Sequence, residues 1–196
     1  MVYRTAAVSV LVAAWMMASA LPLVDLVYRR GRFQFFDSQE TSIFFFWFAL
    51  SLPFWAAQAL YARAFYAAGN TMTPMVAGTV VTAASLPVYS WMFNNMGVMG
   101  LAIASDIGIV AHTLVLAVLL DRRKLVPAGA MPWLEISKAL ATALLAGAAA
   151  FGASRVIALD GSRAADFQVL AVVSITWAGA VAAGLAEIAE KAVQLA

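Results

Sequence analysis

Three ionisable side chains stand in or beside long apolar runs, where their chemistry would have to be done without water. Asp106 lies about ten residues into the run 97–120. A carboxylate at that depth in hydrocarbon costs roughly a few kcal/mol, so it faces a cavity or a partner rather than lipid. A plainer reading is a protonated Asp106 hydrogen-bonded to a neighbouring helix, and the sequence weighs the two equally. His112 follows six residues later, about 120° further round a helix, so the two do not share a face. It falls instead on the stripe Gly100, Ala104, Gly108, His112. That spacing of four reads as a close-packing seam with the imidazole bonded across it, ahead of a proton-linked role. Arg63 closes the run 41–68 and either snorkels to the headgroups or grips a phosphate with its planar fork. Snorkelling is the favoured reading.

Other chemistry is excluded by what the chain lacks. It has no Cys and a single His, so thiolate nucleophiles, disulfides and Cys-ligated metals are ruled out. No paired carboxylates suggest a hydrolytic centre. No cofactor, metal ligand set or nucleic-acid partner is expected.

The elements that must hold Asp106, His112 and Arg63 follow from composition. Of 196 residues, 64% are hydrophobic and 11% charged, against about 25% charged in an ordinary soluble domain. The solvent is lipid. Six apolar stretches, at 5–28, 41–68, 74–93, 97–120, 133–159 and 167–188, are each long enough for a tilted transmembrane helix. Hydrophobicity is continuous along them, without the period-two alternation of barrel strands. The expectation is an all-α polytopic bundle of about six spans. The first run is too long for a signal peptide and is followed by Arg29, Arg30 and Arg32 instead of a cleavage site, so it reads as a retained span.

The breaks carry turn chemistry. Gly69 suits a left-handed helix end, Thr73 an N-cap and Pro74 the first helical position. Asn94, Asn95 and Gly97 form a second short turn, and 121–132 a longer polar one. In 29–40, Phe33, Phe35 and Phe36 alternate with Arg and Gln, as in a segment lying at the headgroups. Pro22, Pro53 and Pro87 fall inside spans and should kink them. Tyr28, Tyr89, Trp91 and Trp133 read as interfacial belt residues. If the N-terminus is cytoplasmic, that side holds Arg4, Arg63, Arg122, Arg123, Lys124, Lys138 and Lys191, and the other holds Arg29, Arg30, Arg32, Arg155 and Arg163. The bias favours both termini inside. Composition shifts near Pro132 from aromatic and Met-rich to Ala and Gly-rich. Small residues spaced by four, Ala148 with Gly152 and Ala180 with Gly184, should let the last two helices approach closely.

One segment is similar to a known family. Arg63, Phe65, Tyr66, Ala67, Asn70, Thr71, Thr73 and Pro74 fit R-x-F-Y-A-x-x-(D/N)-T-x-T-P of the MurJ/MviN lipid II flippases, in the MATE-like MOP superfamily. Gly97, Gly100, Leu101, Ala102 and Ala104 resemble the family's G-x-x-G-L-A-L-A helix start, and Gly31 with Phe33 its G-x-F loop. The order and spacing of all three agree over about 21–125. The resemblance implies a transporter that moves undecaprenyl-linked peptidoglycan precursor across the bacterial inner membrane by alternating access between two helical lobes. It also implies that the chain is the final six of fourteen helices. Residues 1–125 would be a four-helix part of the second lobe, and 126–196 an accessory Ala/Gly-rich pair. The family's cavity arginines would lie in the missing helices or a separately encoded half. Asp106 and His112 depart from the small polar or amide side chains usual at those positions.

Two other readings stay open: another exporter of that superfamily, carrying polysaccharide-lipid or drug, and a non-transporting membrane scaffold. A membrane-embedded enzyme ranks last, since only Arg29–Arg32 with Asp37 approaches a catalytic cluster.

Overall fold

The computed structural model describes residues 2–125, 133–157 and 162–194. The expected loop at 126–132 and the end of the fifth run at 158–161 lie outside them, as do the side chains of Arg4, Trp133 and Lys191. All described elements are helices: α1 (Val2–Ala18), α2 (Ala20–Tyr28), α3 (Phe35–Ala67), α4 (Met72–Met96), α5 (Val98–Arg122), α6 (Trp133–Ser154) and α7 (Arg163–Gln194). Five of them, α3 to α7, are long and apolar enough to cross a membrane, and α1 with α2 makes a sixth if that bent pair is one span. The all-α, multi-span expectation holds.

The first run is not one straight helix. It breaks at Ser19 with a bend of 70°. Pro22 has no N–H to offer Ala18, and its ring crowds that carbonyl. Ser19 turns its hydroxyl onto the Trp15 carbonyl at 2.7 Å, satisfying an acceptor at the break. The second run begins earlier than its hydrophobicity suggested, at Phe35. There the Gln34 N–H donates to Asp37 Oδ2 at 2.7 Å, half of a capping box, and Asp37 places negative charge in the first turn.

The α3–α4 turn is a Schellman motif. The Asn70 N–H donates to the Phe65 carbonyl at 2.9 Å and the Gly69 N–H to that of Tyr66 at 3.0 Å, with Gly69 at φ +73. Thr73 is not the N-cap. α4 starts one residue before it, and Asn70 does the capping: its Oδ1 accepts the Thr73 N–H at 3.0 Å and its Nδ2 donates to Thr73 Oγ1 at 2.8 Å. An amide supplies both an acceptor and a donor, which a lone hydroxyl at Thr73 could not place one turn back. Gly97 alone, at φ +61, joins α4 to α5.

The chain divides into two compact units. One comprises Met1–Ser9 and Leu50–Trp133. In it α4 packs along α5, and Phe65, Ala77, Leu116 and Leu120 form a buried cluster joined by Tyr61, Ala64 and Leu119. The other comprises Val10–Ala49 and Leu134–Ala196. There α2 packs on α7, and Ala18 of α1, Ala150 of α6 and Val169 and Val173 of α7 form a buried cluster. Trp15 Nε1 donates to Ser174 Oγ and Trp177 Nε1 to the Leu11 carbonyl, both at 3.1 Å. These bonds matter in lipid, where helix association rests on close packing and interhelical hydrogen bonds rather than on expulsion of water. Small residues provide the close approaches. A Cβ at Gly147 would stand 3.1 Å from Ala14 Cβ, and one at Gly184 2.7 Å from Thr142 Cγ2, whereas Gly152 meets nothing within 4 Å. So α6 and α7 do touch through Gly184, whereas nothing packs where a Gly152 side chain would stand.

Candidate functional site

In the first unit, polar groups line the middle of α5 where it meets α3 and α4. The Asp106 carboxyl interacts with the Ser51 hydroxyl of α3. Both its oxygens are buried, and neither has a partner that meets full hydrogen-bond geometry. The carboxyl is therefore shielded by protein, and no cation pairs with it among the described residues. One residue earlier, about 100° round the helix, Tyr89 Oη donates to Ser105 Oγ at 3.1 Å. The Tyr89 hydroxyl thus links α4 to α5. Gly108 makes room for Ser85 Oγ and Tyr89 Oη, each 3.7 Å from where its Cβ would be. Thr113 Oγ1 lies 2.8 Å from the Ile109 carbonyl and 3.1 Å from that of Phe54 in α3.

His112 is seated on α4. A Cβ at Gly78 would stand 3.2 Å from its Cε1. The expected stripe from Gly100 to His112 is thus the α4-facing seam, with Ala104 fully buried in it. The imidazole does not bond across that seam through Nε2, which is buried and has no partner among the described residues. Asp106 and His112 share α5 but meet different helices, Asp106 facing α3 and His112 α4. Arg63 is brought to neither; it is exposed near the end of α3.

A second polar cluster, in the other unit, was not anticipated. Asp25 and Asp166 are both essentially inaccessible, at 1% and 0% exposure. Arg29 bridges them, with Nε 3.3 Å from Asp25 Oδ1 and Nη2 3.4 Å from Asp166 Oδ2. Ser38 Oγ donates to Asp25 Oδ1 at 2.7 Å. The cluster ties α2, the start of α3 and the first turn of α7 together. Half of it was visible, because Asp25 and Arg29 are spaced i, i+4. Asp166, 137 residues away, carries no sequence signal for this pairing beyond its acidic character at a helix start. Arg29 thus serves an ion pair within this unit. Of the cations at Arg29–Arg32, the first is taken up by this structural pairing.

The same unit holds an apolar cavity of about 620 Å³. Met17, Leu21, Ile43 and Phe46 line it, and Ser154 and Arg155 stand at its polar margin. The Arg155 guanidinium lies over the Phe151 ring, 4.8 Å from its centroid.

The residues of the motif 63–74 build structure. Phe65 is wholly buried, Pro74 is buried, and Asn70 caps α4 through Thr73, while Tyr66, Ala67 and Thr71 face outward. Gly97 makes the one-residue turn and Gly100 allows α5 to lie against the Met92 backbone.

Compared with known families, residues 2–169 match the model described as Lipid II flippase MurJ. The chain belongs to that family. A MurJ lipid II flippase of Thermosipho africanus (strain TCF52B) is 29% identical over 86 residues, which are 44% of this chain and 18% of the relative. A solved structure of lipid II flippase MurJ in an inward closed conformation superposes with a TM-score of 0.74 at 19% identity, covering 95% of this chain and 38% of the other. The fold is therefore that of part of MurJ, and the chain spans well under two thirds of the length of either protein. It is a multi-pass membrane protein of a transporter family.

Proposed function

We propose that the chain is the C-terminal part of a lipid II flippase and that it acts with further helices, on the same or a separate chain, to move undecaprenyl-linked peptidoglycan precursor across the bacterial inner membrane. The match of residues 2–169 to the family carries this reading. Alternating access in such transporters needs two lobes that rock about a central site. The helices α1 to α5, within 1–125, supply part of one lobe, and α6 with α7, in 126–196, an accessory pair. The small-residue approach at Gly184 supports treating that pair as a packed hairpin.

Within the lobe, Asp106 is the group assigned to the transport path. A buried carboxyl with only the Ser51 hydroxyl beside it is costly to keep, and its presence is explained by a charge or proton that it meets during the cycle. His112 is assigned a packing role on Gly78 and Arg63 a headgroup contact. The test is complementation in cells depleted of their own flippase. Residues 1–196 alone should fail, and the same residues joined to the preceding helices of a MurJ relative should rescue growth. Rescue by the chain alone would overturn the two-lobe reading.

A further inference from the structure

The first unit holds a groove of about 420 Å³ between the start of α4 and the end of α5. Its floor is Val76, Val80, Val81 and Val115, and Thr73 and Arg123 stand at one end. Met72, Val76 and Val80 are each half or more exposed, so the groove opens sideways toward the lipid phase. Arg123 is the middle of three consecutive cations, Arg122, Arg123 and Lys124, all exposed, with Asp121 the one acid beside them. Arg122 in the last turn of α5 is accounted for by the helix dipole. Arg123 is past the last turn, and its side chain lines the groove instead. Thr73 Oγ1 accepts from Asn70, which leaves its own O–H for a further acceptor.

An apolar trough that opens to lipid and ends in a guanidinium and a hydroxyl has the chemistry of one phosphodiester and one acyl chain. Basic pockets between transmembrane helices recognise anionic headgroups in this way, with a basic residue near an anionic surface contributing about fivefold in affinity. We propose that this groove binds an anionic phospholipid of the bilayer, its phosphate on Arg123 and one acyl chain along Val76, Val80 and Val115. The groove is too small for a whole polyprenyl tail, which is why the occupant is a bilayer lipid and not the transported one. The site does not depend on flipping activity, so its test is independent of the function proposed above.

The experiment is native mass spectrometry of the delipidated chain titrated with phosphatidylglycerol or with phosphatidylcholine of the same acyl chains. Phosphatidylglycerol should bind about fivefold tighter or better, and Arg123→Gln should abolish that preference while Arg123→Lys keeps most of it. Val80→Trp, a filling change at an exposed position, should weaken phosphatidylglycerol several-fold with an unchanged melting temperature. Glycerol phosphate should not compete. Equal binding of both lipids, an Arg123→Gln variant indistinguishable from the parent, or competition by glycerol phosphate would overturn the site. Displacement by equimolar undecaprenyl phosphate would overturn the choice of occupant.

Discussion

A methyl group at Gly100 would run into the Met92 carbonyl, so α4 and α5 are held together there by backbone contact and not by interchangeable side chains. Gly100→Ala is expected to cost about 1–3 kcal/mol through overpacking. Thermal unfolding in detergent checks it, with Gly152→Ala as the control, because Gly152 meets nothing within 4 Å. That control should be neutral or slightly stabilising, since Ala is the better helix former. Asp106 gives the opposite expectation. Its buried oxygens have only the Ser51 hydroxyl beside them among the described residues, so Asp106→Leu removes a poorly satisfied group and should raise stability by about 1–3 kcal/mol. The same change, placed in a complete flippase, should lower complementation. A drop in melting temperature would instead make Asp106 a structural hydrogen-bonding residue.

Among the elements, the tie between α2 and α7 rests on one cation shared by two buried carboxylates. Arg29→Ala removes the cation that the two acids share and should destabilise the second unit by about 3–5 kcal/mol. Replacing Arg29 by Met together with Asp25→Asn and Asp166→Asn should recover most of that loss, because no buried charge is then stranded. Comparing the two variants in one detergent separates charge compensation from simple loss of packing. How far these elements were legible depended on the range of the interactions. The spans, the Gly69 turn and the α5 seam could be read from local periodicity and left-handed glycine preference. The α1–α2 break was only half legible. Pro22 announced a kink, yet the angle comes from how Ser19 and the α7 contact settle the two halves. The Asn70 cap was misassigned to Thr73 because both residues are good caps and only the backbone decides between them. Of the Arg29 cluster only the i, i+4 spacing of Asp25 and Arg29 was legible; the Asp166 pairing and the Tyr89–Ser105 bond were not, since those partners are distant in sequence or on another helix.

For the whole molecule, counting the bent α1–α2 pair as one span gives six, and six spans predict both termini on one side, which the basic residues make the cytoplasmic one. The absence of Cys makes this directly measurable. A single Cys at Asn95 should react with an impermeant maleimide added outside intact cells, and one at Gly69 should react only after permeabilisation. The reverse pattern would invert the orientation, and reaction at both would remove α4 from the set of spans. The same end of the first unit that carries Gly69 and Lys124 then lies in the cytoplasmic leaflet, where anionic lipid is concentrated.

The single glycine between α4 and α5 also bears on how the protein is made. As the ribosome delivers it, α5 arrives at the translocon carrying Asp106, a residue that adds about 2.5–3.5 kcal/mol to the insertion of a lone helix when it sits at the centre. A one-residue turn gives α4 no slack to leave sideways before α5 follows it. The two helices must therefore partition into the bilayer as a hairpin, with His112 already resting on Gly78 and Ser105 already bonded to Tyr89. Lengthening that turn with a flexible linker would uncouple the two departures, and α5 would be the span left stranded in the channel.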